Sequence, residues 1–214
     1  MTIEVRRLSN GIPLLMEPMR GPRSVAVGLW AIAGSRFEVE GQFGAAHFLE
    51  HMFFKGTSRR TAYDIALETN ALGSHFNAFT SQEMVSVYGR VIDEKIEEAV
   101  DLLGDMFVDA SLDPDEFERE RSVILEEVAM YEDTPDERVL DLFAEALWGH
   151  HSLGRPVLGD APSLKAMSVA TLRTYMGRWF HPERVRVSVA GAFDPDHVER
   201  LIQDKLGAWP GAPG

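Results

Sequence analysis

The sequence predicts an α+β domain, and three observations carry that prediction. Strand-like segments dominate the first ninety or so residues, an unbroken series of helical segments follows from Asp93, and one strand and one helix return near the C-terminus. Strands, then helices, then strand and helix do not make the regular alternation of a βαβ fold. The 214 residues are 45% hydrophobic, enough for one domain with a sizeable core or for two small ones.

The elements follow from local chemistry. "IEVRRLSNGIPLLMEPM" reads as two strands around Ser9-Asn10-Gly11, since Asn-Gly supplies the positive φ angles of a tight hairpin. "SVAVGLWAIAGSRFE" is a β-rich apolar run ended by Gly34-Ser35. From about Gly44 to Phe54 the residues favour helix, with Gly56 as the stop, and a second helix runs from about Thr61 to Leu72 with Gly73 closing it. "HFNAFTSQEMVSVYGRV" reads as one long strand, irregular near Ser81-Gln82. Helices are then expected over Lys95 to Val108, Asp115 to Met130 and Pro135 to Trp148, with Pro114 and Pro135 at helix starts, where a missing N–H costs little. "HHSLGRPVLGDAPSL" reads as a loop, Ser168 to Phe180 as a helix, "RVRVSVAGAF" as a strand, and a last helix begins near Asp194-Pro195. The closing "GAWPGAPG" has the composition of a linker, so residues 1–208 are expected to form the domain and 209–214 the start of a connection to a second half.

Composition removes several classes of function. A formal charge of −13 repels phosphate backbones and no basic patch is segregated, which disfavours nucleic acid as a partner and favours a cationic peptide. With no cysteine, disulfides, thiolate zinc sites and cysteine nucleophiles are excluded, so any metal must rest on His, Asp and Glu. No apolar run reaches the roughly 18 residues of a membrane span, and the N-terminus lacks the order of a signal peptide. The default expectation is a soluble, cytoplasmic protein.

"AAHFLEHMFFKGT" carries the chemistry. On a helix, positions i, i+3 and i+4 share a face, so His47, Glu50 and His51 project together. Two imidazoles so spaced reach one ion, but catalytic zinc sites use three protein ligands and leave a fourth position for water. The richest acidic supply is "DEFERERSVILEEVAMYED", where Glu120 and Glu127 lie two turns apart on nearly one face and Glu126 points away. Spacing alone does not choose between Glu120 and Glu127. His75, His150, His151, His181 and His197 have no partner at metal-ligand spacing beyond the adjacent pair.

H-F-L-E-H-M-F-F-K-G-T, then G-S-H-F-N-A-F-T-S-Q-E-M, then E-R-E-R-S-V-I-L-E-E-V together resemble the M16 family of zinc peptidases, in particular its bacterial processing-peptidase-like branch. The likeness runs in order from about Ile3 to Trp209, through "GSRFE", "HSLGRPVLG" and "VAGAFDP". It implies a mostly antiparallel sheet with helices packed on one face, and one Zn2+ held by His47, His51 and Glu127. Glu50 is implied as catalytic base and Glu120 as a carboxylate supporting the site from behind. Between His51 and Glu127 lie 75 residues, similar to the processing-peptidase branch. The resemblance further implies a peptide substrate added as a strand along "HFNAFTSQE", touching Asn77 and Ala78, with Glu83 at an acidic family position of lesser weight. Only the zinc-bearing half of such a peptidase is matched, so a homologous second domain is expected in cis or as a separate subunit. The alternative expectation is a non-catalytic subunit that binds peptides or assembles a complex.

Overall fold

The computed structural model describes residues 3–73 and 75–211. Among them the chain runs β1 (Glu4–Arg7), β2 (Pro13–Pro18), β3 (Ser24–Ala31), α1 (Ala45–Met52), α2 (Ala62–Ala71), β4 (Phe76–Thr80), β5 (Val85–Ile92), α3 (Ile96–Val108), α4 (Pro114–Glu132), α5 (Pro135–Trp148), α6 (Ala161–Ala166), α7 (Val169–Trp179), β6 (Val185–Gly191) and α8 (Pro195–Leu206). The strands form one sheet in the order β1-β2-β6-β3-β5-β4. Every neighbouring pair is antiparallel except β2 with β6. That parallel pair joins strands far apart in sequence, as parallel pairing requires a long crossover.

Alternation of side chains decides which face of the sheet is covered. Val25, Val27, Leu29, Val85, Val87, Val187 and Val189 are buried, whereas Ala26, Tyr88 and Arg90, one residue out of phase, are exposed. Helices α1, α3 and α8 pack against the sheet, so the antiparallel sheet with helices on one face is as expected. On the open face Trp30, Phe76, Phe79 and Tyr88 border a groove of about 610 Å3. The Phe76 ring lies close against Gly89, its cross-strand partner, where a Cβ would meet the ring at 2.6 Å.

Helix ends are set by side chains that the sequence makes available. Thr61 and Asp64 form a reciprocal capping box at α2, and Asp113, Asp160, Ser168 and Asp194 cap α4, α6, α7 and α8. Pro114 and Pro135 open α4 and α5. The segment leaving α1 is pinned by charge: Asp105, 4% exposed, accepts from Thr57 Oγ1 at 2.7 Å, Arg59 Nε at 2.8 Å and Arg60 Nη1 at 2.7 Å.

Two sequence expectations are corrected. The long strand from His75 to Val91 is a hairpin, because Ser81 N donates to the Met84 carbonyl at 2.8 Å and the Ser81 hydroxyl takes the amides of Glu83 and Met84, reversing the chain. The presumed loop after His150 contains α6, which the Asp160 side chain starts by accepting from Ser163 N at 2.8 Å. Of the segment expected as a linker, residues 212–214 lie outside the described residues. The Trp209 ring stands edge-on to Phe107 at 6.1 Å.

The Ser81–Met84 turn leaves no room beneath it. Gly34 has ordinary backbone angles, φ −77° and ψ −179°, yet a Cβ there would come within 2.4 Å of backbone atoms of Ser81, Gln82 and Glu83. Gly34→Ala is therefore expected to destabilise the chain by about 1–3 kcal/mol through overpacking alone. Urea unfolding checks this, and a loss within a few tenths of a kcal/mol would contradict the packing.

Candidate metal centre

The candidate site is built where α1 crosses α4 at the edge of the sheet. Helix α1 is eight residues long, and Ala45, Ala46, Phe48, Leu49 and Met52 are fully buried. Phe48 stacks on Phe117 of α4 with ring centroids 4.3 Å apart. This contact fixes the approach of the two helices and leaves the stripe of His47, Glu50 and His51 facing α4 and β4.

Three groups converge across that crossing. His47 Nε2 lies 3.7 Å from Glu127 Oε1, and His51 Nε2 lies 3.4 Å from Glu127 Oε2. Each of His47, His51 and Glu127 offers a donor atom within 4.8 Å of the others. Zinc bonds of about 2.0–2.1 Å in a tetrahedron place neighbouring donors about 3.3 Å apart, so these side chains fit one zinc ion with little movement. Spacing had left Glu120 and Glu127 open as the third group. The structure brings Glu127 to both imidazoles and turns Glu126 out to solvent.

Glu120 lies behind the imidazoles instead. Its Oε2 is 3.0 Å from His51 Nδ1 and its Oε1 is 2.6 Å from Lys55 Nζ, in a position only 6% exposed. With Nδ1–H donating to Glu120, His51 points Nε2 at Glu127, the arrangement that orients a metal-ligating histidine. Desolvation pushes the Glu120 carboxyl up, but the ammonium of Lys55 and the His51 ring together bring it below its ordinary value.

The remaining groups of the metal-free site shift for separate reasons. His47 is buried, its Nδ1 has no hydrogen-bond partner among the described residues, and desolvation with the neighbouring His51 charge lowers its pKa to about 4. Its ring is neutral near pH 7, the form that binds metal. Burial also lowers His51, yet Glu127 and Glu120 outweigh it and the net shift is upward. Glu127 is lowered, chiefly by its hydrogen bond with His51. Glu50, half-buried, is raised by desolvation while its Oε2 accepts from Thr80 Oγ1 at 2.6 Å.

The cleft in front of these groups measures about 710 Å3, with Phe79, Thr80, Tyr131, Glu137, Leu140 and Asp141 among its walls. Asn77 and Ala78 lie on β4, an outer strand of the sheet. Asn77 is exposed, and its Oδ1 accepts from the Ala78 amide at 2.9 Å; the Ala78 side chain is buried. Glu83 is not drawn into the site and pairs with Arg36. Sequence reasoning missed Lys55 and Thr80. Lys55 follows His51 at i+4, a usable signal, whereas Thr80 reaches Glu50 only through the placement of β4.

Lys55 makes a prediction that needs no metal. Lys55→Met strands the Glu120 carboxylate beside one imidazole, and the metal-free chain is expected to lose about 1–3 kcal/mol. The double variant with Glu120→Gln is expected to lose less than the two single changes combined. Urea unfolding of the four proteins measures this, and strict additivity would contradict the coupling.

Comparison with known proteins places the geometry in context. Residues 16–161 match the profile described as insulinase, peptidase family M16, and residues 166–214 match one described as the peptidase M16 inactive domain. An uncharacterized zinc protease of Bacillus subtilis is 45% identical over 89% of this chain and 46% of its own length. One of Mycobacterium leprae is 42% identical over 94% of this chain and 45% of its own. Among solved structures, a protease from Helicobacter pylori superposes with a TM-score of 0.94 at 22% identity, over all of this chain and 52% of that one. The chain thus spans about half the length of the curated relatives it matches. No helix among the described residues is long and apolar enough to cross a membrane.

Proposed function

This chain belongs to peptidase family M16, and on that premise we propose that it is the metal-bearing domain of a zinc-dependent endopeptidase. The observation that carries the reading is the meeting of His47, His51 and Glu127 within 4.8 Å, from two separate helices, with Glu50 on the same stripe. These three side chains would hold one Zn2+. When bound, the ion supplies a Lewis acid that polarises the scissile carbonyl and lowers the pKa of water toward about 7.

The chain's own residues supply the rest. Glu50 accepts the proton of the attacking water and returns it to the departing amine. Its desolvation raises its basicity, and Thr80 holds the carboxylate toward the cleft. Glu120 and Lys55 fix the His51 ring. The peptide adds along β4 as an extra strand, held through the outward backbone groups of Ala78 and touching the Asn77 side chain, with little demand on sequence. An entering strand takes over the Ala78 amide from the Asn77 side chain. Glu137 and Asp141 in the cleft wall and the charge of −13 favour substrates with cationic side chains near the cut. A homologous second domain, in cis or as a separate subunit, completes the enclosure around the substrate, in keeping with relatives about twice as long.

Metal analysis and peptide hydrolysis test the assignments together. The isolated chain is expected to bind one zinc and to turn over slowly until its second domain is supplied. Glu50→Gln should keep the zinc and lose at least about 100-fold in hydrolysis, the scale of general-base catalysis. Glu127→Gln should weaken zinc binding while Glu126→Gln leaves it unchanged. Retained turnover in Glu50→Gln removes it as base, and equal effects at 126 and 127 misplace the third ligand.

A further inference from the structure

Glu38 has no part in the chemistry above, yet it is among the most deeply buried charged residues, 4% exposed. Both of its carboxylate oxygens are spent on α1. Oε2 accepts from Gly44 N at 3.0 Å and Oε1 from Ala46 N at 2.8 Å. A helix begins with amides that have no partner inside it, and a side chain at the first position normally takes one of them. Gly44 holds that position in the left-handed region at φ 90° and offers no side chain. Glu38 therefore caps α1 from six residues upstream of Gly44, taking two of the amides at its start.

The surroundings hold Glu38 in place. Arg155 Nη2 donates to its backbone carbonyl at 3.1 Å, and the Arg155 guanidinium lies 4.5 Å over the Phe43 ring. The Tyr175 hydroxyl donates to the carbonyls of Ala33 and Gly34 at the start of the same segment. Gly159 closes the other side, so near that a Cβ on it would stand 2.6 Å from Gly44 N. Desolvation pushes the Glu38 carboxyl up to about 8, and the amides of Ala46 and Gly44 oppose this. A buried carboxylate is costly unless hydrogen bonds compensate it, and here the compensating bonds all go to one helix.

The metal donors come from two helices, so their convergence depends on where α1 lies and how it is rotated about its axis. One residue of rotation is about 100°, and a productive site tolerates only about 0.5 Å. Ala46, one of the two amides Glu38 holds, immediately precedes His47. We propose that Glu38 is a positioning residue for the metal centre: its carboxylate fixes the first turn of α1 and so aims His47, Glu50 and His51 at Glu127. This inference rests on the reading of His47, His51 and Glu127 as zinc ligands.

The test uses the 214-residue chain, with zinc affinity measured against a chromophoric chelator and visible spectra recorded for the Co2+-loaded protein. Glu38→Ala, Glu38→Gln and Val198→Ala are compared with wild type, each with its urea stability. Val198 is fully buried in α8, away from the site, and controls for lost stability as such. Glu38→Ala is expected to weaken zinc about tenfold, the scale for residues that support ligands, and to alter the Co2+ bands. Glu38→Gln, which keeps an acceptor oxygen, should recover part of both, and Val198→Ala should change neither. Zinc affinity in the Glu38 variants equal to wild type, or reduced no further than in Val198→Ala, overturns the proposal. Should Glu38→Ala fail to fold, the same comparison is made with Glu38→Gln alone. Wild type that binds no zinc overturns the ligand reading and this inference with it.

Discussion

The structure depends on the contact between α1 and α4. A helix of eight residues has little stability of its own in water, since nucleation is costly and few bonds repay it. α1 exists because Ala45, Ala46, Phe48, Leu49 and Met52 are buried on the sheet and on α4. Each large apolar side chain so buried contributes about 1.5–3 kcal/mol. The Phe48–Phe117 stack is the centre of that contact. Phe117 lies one turn before Glu120 and Glu120 two turns before Glu127, so a single packing decision sets both carboxylates against the two imidazoles. The polar stripe of α1 has nowhere else to go.

Placing so many ionisable groups together in half-buried surroundings is tolerable because each has an assigned neighbour. Lys55, Glu120 and His51 form a chain in which a cation holds an anion and the anion holds a ring. Breaking such a chain leaves an uncompensated charge, which is why buried ion pairs are costly to disrupt even where they add little net stability. His47 follows the other rule: with no partner for Nδ1 among the described residues, it is kept neutral by its burial. One imidazole is thus oriented by a hydrogen bond and the other by packing.

Much of this was legible in the sequence. The i, i+3, i+4 spacing put His47, Glu50 and His51 on one face, because that geometry is local to a single helix. Glu127 was reached only through resemblance, since which of two equally spaced carboxylates touches α1 is settled by helix-to-helix packing. The hairpin of β4 and β5 was read as one strand because Ser81 and Gln82 carry no glycine or proline; the turn is made instead by the Ser81 side chain and by Gly34 packed under it. Helix α6 was read as loop because its six residues are too few for a period to emerge, although Asp160 before Ala-Pro-Ser was a cap in plain view. Glu38 was missed because the amides it takes belong to another element, whereas Lys55 stood in view at i+4 from His51 and only its partner Glu120 lies elsewhere.

The reversal at Ser81–Met84 shapes the edge along which a peptide is proposed to add. Because the chain reverses at Ser81–Met84, β4 becomes an outer strand of the sheet, with one side unpaired among the described residues. Thr80, the last residue of β4, then reaches back across the cleft to Glu50, while Ala78, two residues earlier, packs its side chain into the core beneath. The strand that would align a substrate and the carboxylate that would act on it are therefore joined by a single hydrogen bond. On the proposed reading, a peptide backbone laid along β4 would take its register from the same strand that holds Glu50, so the sheet would set the distance between them.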